Sequence, residues 1–298
     1  MLSILIPIYN WNVVELVENL HQQCIAYEID FEIICFDDGS TQKYKSENQI
    51  ISKHKEIQYK ELAQNLGRAK IRNSLGLAAQ YDFLLFMDAD AKVIHNNFIQ
   101  KYLEKLSLTT LLYGGCIYKD HPPEEQQYLL HYYYGKNREE ILTEERKITP
   151  YSSFKTFNFV VPKAIFSQIL FEESITQYGH EDTLFGQRLE QAAIPILHID
   201  NPLEHLGLEP IDTFLQKQQQ ALDTLYQLYQ HQKHPTTRLI TVFERCYQLG
   251  IHSFISYLLQ RLAPLIKKQL SKKKPTVFFL DLYKLNYWLL KFKQKEVR

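Results

Sequence analysis

The 298-residue sequence has no uninterrupted apolar run of about 18 residues, the length a membrane-spanning helix needs, so no spanning segment is expected. Its four cysteines, Cys24, Cys35, Cys116 and Cys246, are scattered and form no C-x-x-C pair. That spacing argues against a disulfide framework or a cysteine metal site and favours a reducing cytosol. The apolar opening, Met1 to Ile8, has no basic flank and is cut short by Pro7, Tyr9 and Asn10. It reads as a first strand rather than a signal peptide. After that strand stands Tyr9-Asn10-Trp11-Asn12, not a glycine-rich loop bearing Lys or Arg, which disfavours a nucleotidyltransferase. No internal repeat is visible, and the only biased run is Lys267 to Lys274. Net charge is also absent, since 34 Lys and Arg meet 34 Asp and Glu. The balance hides a segregation: eleven of the basic residues and only two of the acids fall between Arg261 and Arg298. A basic tail on an acidic body points to an anionic partner surface, and the acidic body argues against nucleic acid.

What the chain does have is 45% apolar residues, ample for one large core plus an extension. Short apolar segments at Leu2 to Ile8, Phe31 to Phe36, Ile57 to Leu62, Phe83 to Met87 and Leu111 to Ile117 alternate with helical patterns such as Val13, Val14, Val17, Leu20 and Cys24. Repeated strand–helix–strand units predict an α/β fold, a mostly parallel sheet flanked by helices on both faces. In such sheets ligands bind beyond the carboxyl ends of the strands. Polar clusters stand at four successive strand ends: Tyr9-Asn10, Asp37-Asp38-Gly39-Ser40, Asn65-Leu66-Gly67-Arg68 and Asp88-Ala89-Asp90. The last is two carboxylates one residue apart, which a strand end can aim at one hard cation. Further on come Asn158-Phe159-Val160-Val161-Pro162, a helical segment carrying Glu181-Asp182, the strand-like Ile196 to Ile199 and an isolated His205. From about Ile211 the pattern is helical to the end, which divides the chain into 1–210 and a basic, amphipathic extension, 211–298.

Taken together, Ile6-Pro7-Ile8-Tyr9-Asn10, Phe36-Asp37-Asp38-Gly39-Ser40, Asn65-x-Gly67-x-Ala69-x-x-Arg72-Asn73, Phe86-Met87-Asp88-Ala89-Asp90, Gly179-His180-Glu181-Asp182 and His205 resemble the family 2 inverting glycosyltransferases of the GT-A fold. The resemblance spans roughly residues 1–210. It implies a nucleotide-sugar donor, a UDP-sugar above all, with Pro7, Tyr9 and Asn10 of the first loop and Asp37 and Asp38 around the base. An aromatic face stacks on uracil, and a carboxylate accepts the ring N–H. Asn65, Gly67, Arg72, Asp88 and Ala89 join the donor set, and Asn158 is placed for donor-sugar or acceptor contacts. The resemblance makes Asp88 and Asp90, with His205, the metal set for Mn²⁺ or Mg²⁺, Asp90 as the direct ligand before Asp88, which has the ribose or a metal-bound water as its alternative, and the imidazole tilts the choice to manganese. Of the catalytic pair Glu181 and Asp182, Asp182 is the implied general base.

Plainer readings stand beside these. Asp37-Asp38-Gly39-Ser40 also suits a capped strand-to-helix turn, Arg68 and Arg72 a solvated helix face, Glu181-Asp182 a favoured helix start, and Asn158 a structural amide. Ala91 and Lys92 follow the acidic pair where the family often has a further acid, and no Q-x-x-R-W signature of processive synthases occurs, so single-sugar transfer is expected. Tyr134-Gly135-Lys136-Asn137-Arg138 reads as solvated loop. In the extension, Ile251 to Ile266 and Thr276 to Phe292 read as helices with wide apolar faces, the second leaving a narrow polar stripe of Asp281, Lys284, Lys291 and Lys295. Such faces are expected to pack on the catalytic domain or another subunit, or to lie shallowly in an anionic membrane through 251–298 beside the lysine run. The expectation is a cytoplasmic protein, peripheral on the inner membrane face if its acceptor is lipid-linked, with oligomerisation left open. The rival class is a non-catalytic sugar-nucleotide-binding or membrane-recruiting scaffold.

Overall fold

The computed structural model describes residues 1–231 and 235–296, the last three of them by backbone alone. The strands are Leu2–Ile8 (β1), Phe31–Asp37 (β2), Ile57–Glu61 (β3), Phe83–Met87 (β4), Ala91–Lys92 (β5), Leu111–Tyr113 (β6), Cys116–Ile117 (β7), Asn158–Pro162 (β8), Ile196–His198 (β9) and Leu203–His205 (β10). The helices are Val14–Ala26 (α1), Gln42–Asn48 (α2), Arg68–Ala78 (α3), Phe98–Leu103 (α4), Leu129–Arg138 (α5), Thr143–Ile148 (α6), Lys163–Gln168 (α7), Glu181–Gln191 (α8), Ile211–Gln230 (α9), Arg238–Gln248 (α10), His252–Leu270 (α11) and Val277–Glu296 (α12). Two compact units emerge. The first comprises Met1–Tyr118, Glu140–Thr176 and Glu181–Gly207; the second comprises Lys119–Glu139, Gln177–His180 and Leu208–Arg298.

The first unit is built on a seven-stranded sheet ordered β3-β2-β1-β4-β8-β6-β9. Only β8 runs against its neighbours, pairing antiparallel with both β4 and β6. β1 lies at the point where the strand order reverses, between β2 and β4. Its pairing with β4 stops at Leu5↔Phe86, whereas pairing with β2 continues to Ile8↔Asp37. This explains how Pro7 is tolerated in a central strand: it sits after β1 has parted from β4, so its missing N–H costs no ladder bond on that side. The same parting opens the crevice at the sheet's switch point, where open α/β sheets bind ligands.

A buried aromatic cluster sets the distance between sheet and helices. Phe86 of β4 stacks on Phe159 of β8 at 5.0 Å, and Phe171 stacks on Phe185 of α8 at 4.4 Å, with Phe166 between the two pairs. Because Phe185 is one helical turn from the start of α8, this cluster fixes where Glu181 and Asp182 begin relative to the end of β4. The expected single strand Leu111 to Ile117 is instead two, β6 and β7, broken at Gly114-Gly115. β7 leaves the main sheet to join β5 and β10 in a small three-stranded sheet ordered β5-β10-β7.

The second unit has its own core, and the segment expected as solvated loop, Tyr134 to Arg138, belongs to helix α5. Trp288 of α12 is fully buried, its ring 5.5 Å from Tyr226, 5.7 Å from Tyr229 and 5.9 Å from Phe243. The broad apolar face of α12 is therefore covered by α9, α10 and α11 of the same extension. Its polar stripe is paired: Arg138 binds Asp281 at 2.7 Å, Lys291 meets Asp223, and Lys284 lies over the Tyr134 ring. Lys295 lies outside the described side chains.

Candidate active site

At the end of β2 the two acids of the turn do different work. Asp37 is fully buried, taking the backbone N–H of Ser40 at 2.7 Å on one oxygen and the hydroxyl of Tyr59 at 3.2 Å on the other. Asp38 accepts the backbone N–H groups of Leu66 (2.6 Å) and Gly67 (3.2 Å), and Asn65 donates to the Asp38 carbonyl at 3.0 Å. Asp38 thus ties the loop after β3 to the loop after β2. Burial pushes its carboxyl above the ordinary aspartate range, and the two amides only partly offset this. Gly67 holds φ +84°, a conformation costly for any residue with a Cβ, and so turns the chain into α3. Asn10 also adopts a positive φ and is pinned by Ser40 and Thr41, and Tyr9 beside it is 56% exposed. Pro7, behind them, is paired with Phe36 of β2 alone.

α3 aims two arginines at the end of β4. Arg72, only 2% exposed, pairs with Asp88, while Arg68 donates to Asp88 at 3.2 Å and to Glu181 at 2.5 Å. Burial alone would raise the Asp88 carboxyl, but the two guanidiniums outweigh it and hold it below the usual range. Arg68 therefore links the acidic turn after β4 to the first residue of α8, which lies 113 residues after Arg68 itself. The solvated-face reading of these arginines does not survive.

Asp90 takes the other direction. Its Oδ2 lies 3.4 Å from His205 Nε2, and its backbone carbonyl accepts the N–H of Leu206 at 2.8 Å. The antiparallel ladder of β5 with β10 pairs Ala91 with His205, which fixes the two side chains as neighbours. The rings of Tyr118 and Phe157 flank the imidazole at 5.1 and 5.3 Å. Burial raises the Asp90 carboxyl despite the nearby imidazole. Gly207 is the residue that allows this: a Cβ there would overlap Asp90 Oδ2 and come within 2.9 Å of its carboxyl carbon. Of the three expected metal ligands, the structure joins Asp90 and His205 and commits Asp88 to arginine. Among the described residues no three His, Cys, Asp or Glu side chains stand ready to hold an ion together. An aspartate oxygen and an imidazole nitrogen in contact, with a glycine cradle beside them, still make a donor pair suited to a divalent cation whose remaining ligands come from a substrate.

Asp182 sits in the first turn of α8, where unpaired helix N–H groups favour negative charge. One oxygen accepts from the backbone and hydroxyl of Thr183, at 2.7 and 3.1 Å, and the other lies 3.1 Å from Lys155 Nζ. Asn158 is fully buried: it accepts from the Tyr102 hydroxyl at 2.6 Å and donates to the carbonyls of Asn201 (2.8 Å) and Gly115 (3.3 Å). Its amide braces the wall of the crevice, and Gly114 is what lets these groups meet, since a Cβ would lie 2.5 Å from both Asn158 Nδ2 and the Tyr102 hydroxyl. Ala89, between the two acids, is also buried. Lys155 and Gly207 were not singled out from sequence. The His205-Leu206-Gly207 spacing was a usable signal for the second, and nothing local marks the first.

The glycosyl transferase family 2 profile matches residues 3–173. The chain belongs to that family. The match carries the loops after β1 to β4 and Asn158, and it ends before Asp182 and His205. Among solved structures, a mannosyltransferase from Pyrobaculum calidifontis in complex with GDP-Man and Mn²⁺ is similar over 97% of this chain and 86% of its own, with 14% identity and a TM-score of 0.58. S. aureus TarS 1-349 in complex with UDP-GlcNAc is similar over 99% of this chain and 92% of its own, with 17% identity and a TM-score of 0.51. The chain spans 39% of the length of a longer S. aureus TarS structure, at 19% identity and a TM-score of 0.47. No curated protein sequence matches it. At these identities the likenesses with TM-scores above 0.5 establish the GT-A fold, which agrees with the sheet and its helical extension.

Proposed function

We propose that this family 2 chain transfers a hexosyl or N-acetylhexosaminyl group from a nucleotide diphosphate sugar, a UDP-sugar in this reading, to a hydroxyl of a saccharide or lipid-linked saccharide, with inversion. Residues 1–210 serve as the catalytic domain and 211–298 as the extension. The observation that carries the reading is Arg68, which reaches both Asp88 and Glu181 and so brings the acidic turn after β4 to the helix start that holds Asp182. Tyr9 offers its exposed ring to the base, and Asp38 and Asn65 hold the loops that frame it. Arg68 and Arg72 supply positive charge beside the diphosphate.

Asp90 and His205 would hold a divalent cation, which when bound supplies further charge neutralisation to the leaving group, with the imidazole favouring Mn²⁺. For Asp88 to join them its carboxylate must leave the arginines. The GDP-Man and Mn²⁺ of the mannosyltransferase complex and the UDP-GlcNAc of the TarS complex support this reading. Asp182, beside Lys155 at the helix start, takes the acceptor hydroxyl's proton as that oxygen bonds to the anomeric carbon, and the diphosphate departs with the electron pair of the broken bond.

The test is release of free nucleotide from a panel of nucleotide sugars with Mn²⁺, Mg²⁺ or chelator, and NMR of the product's anomeric centre. Asp182→Asn should slow transfer by about 10² to 10⁴-fold while leaving donor binding by calorimetry unchanged. Turnover by Asp182→Asn at the native rate, or retention of configuration, would remove the base. Tight donor binding with no turnover on any acceptor would favour the scaffold instead.

A further inference from the structure

Among the described residues, α11 keeps part of its expected apolar face exposed. Leu259, Ile266 and Leu270 turn inward to the core around Trp288. On the opposite side Ile251, Phe254, Leu258 and Leu265 recur at helical spacing and are 42%, 67%, 45% and 48% exposed. Arg261 falls in the same stripe, its guanidinium 5.3 Å from the Tyr257 ring, and the stripe runs out into the exposed Lys267, Lys268 and Lys272 to Lys274. A run of large apolar side chains this exposed marks a surface that meets something.

The charge beside it says what. From Arg245 to Leu280 the sequence holds no Asp or Glu, but it holds two arginines and five lysines. A face both apolar and uniformly basic is complementary to one that is apolar beneath a layer of negative charge. We infer that the outer face of α11 and the lysine turn after it dock on an anionic lipid surface. The helix lies in the plane of the interface: it is about 28 Å long at 1.5 Å per residue, it carries Arg261 mid-length, and among the described residues no helix is long and apolar enough to cross a membrane. Phe254, Leu258 and Leu265 enter the acyl boundary, while Arg261 and the lysines lay their stems along the helix and keep their charges among the headgroups. A second copy is disfavoured, because two such faces brought together would juxtapose like charges with no acid in either segment to relieve them. Nucleic acid offers no counterpart to the exposed leucines.

The inference does not depend on the donor site, and its test reads no turnover. The full chain is sedimented with phosphatidylcholine vesicles, with or without phosphatidylglycerol, at low and high salt. Binding is expected only with phosphatidylglycerol and is expected to weaken with salt. The double variant Phe254→Glu, Leu258→Glu should lower it at least tenfold, and Lys272→Gln, Lys273→Gln and Lys274→Gln about fivefold each. These side chains are exposed, so circular dichroism should be unchanged; a double variant that misfolds is replaced by Phe254→Gln with Leu258→Gln, which should also lose binding. No binding to the anionic vesicles, equal binding to neutral ones, or unchanged binding by the apolar variants overturns the inference. A concentration-dependent dimer in sedimentation velocity, dissolved by the apolar variants, overturns it in favour of a contact between copies.

Discussion

Gly207→Ala is the sharpest perturbation of the candidate site, because it adds one methyl group and removes nothing. The new Cβ would overlap Asp90 Oδ2 and stand 2.9 Å from the carboxyl carbon and 3.1 Å from Asp90 Cβ. Carbon atoms settle at about 3.5–4.0 Å, so the carboxylate must retreat by roughly 1 Å. Asp90 is partly exposed and can turn about its side-chain bonds, at a cost of about 0.5–1.5 kcal/mol for an off-rotamer position. Stability should therefore change little. The 3.4 Å approach of Asp90 to His205 should be lost, and a 1 Å misplacement of a catalytic constellation costs about 10²-fold in rate. The assay pairs steady-state nucleotide release and Mn²⁺ titration with thermal unfolding. The expected pattern is a fall of about 100-fold in transfer, weaker metal dependence and a nearly unchanged Tm. A variant that transfers and binds metal within about threefold of the parent would refute the claim that the Asp90–His205 pairing is functional.

Arg72→Met should destabilise the protein by roughly 3 kcal/mol in urea denaturation, because it leaves the Asp88 carboxylate with only the partly exposed Arg68. Arg72→Lys should not restore it, since an ammonium cannot reproduce the planar fork; full rescue by lysine would show that charge alone matters. His198 is buried, 2.9 Å from the Pro150 carbonyl, and burial pulls its pKa down to about 4. With an unfolded value near 6.5, the unfolded chain binds more protons between those limits, so the stability is fully present above pH 6.5 and is lost as pH falls towards 4. The loss should reach on the order of 3 kcal/mol, and His198→Gln should flatten the denaturation-versus-pH curve over that window. An unchanged slope in the variant would assign the acid sensitivity elsewhere.

The first four strands, β1 to β4, were legible because each is a compact apolar run bounded by turn residues, and the polar clusters at their ends follow from topology. What periodicity could not reveal was pairing at long range. Nothing around Ala91 announces a ladder with His205, and nothing around Arg68 announces Glu181. Gly114-Gly115 in sequence suits a strand end as well as a close backbone approach, and what decides the break, the crowding of Tyr102, Asn158, Asn201 and Arg146 around those glycines, is not local. Periodicity also could not assign the faces of the tail: both α11 and α12 read as widely apolar, yet Trp288 and Leu280 put α12 at the centre of a core, while α11 gives that core Leu259, Ile266 and Leu270 and leaves Phe254, Leu258 and Leu265 exposed. Asp38 illustrates a different limit. Its acidity suggested a ligand contact, and the structure shows a carboxylate already holding two backbone amides, a partnership that no local pattern announces.

The two-residue ladder of β5 with β10 has a consequence for how this enzyme family's fold can be divided. The matched span, 3–173, contains the nucleotide side of the crevice, including Asp90, but Asp182, His205 and Gly207 all lie beyond it. A fragment cut at its end would keep the loops that frame a donor and lose the groups that would use it, with Asp90 facing an empty edge. In the proposed reading, donor binding and donor consumption would then come from different stretches of chain, joined by contacts between residues more than 110 positions apart.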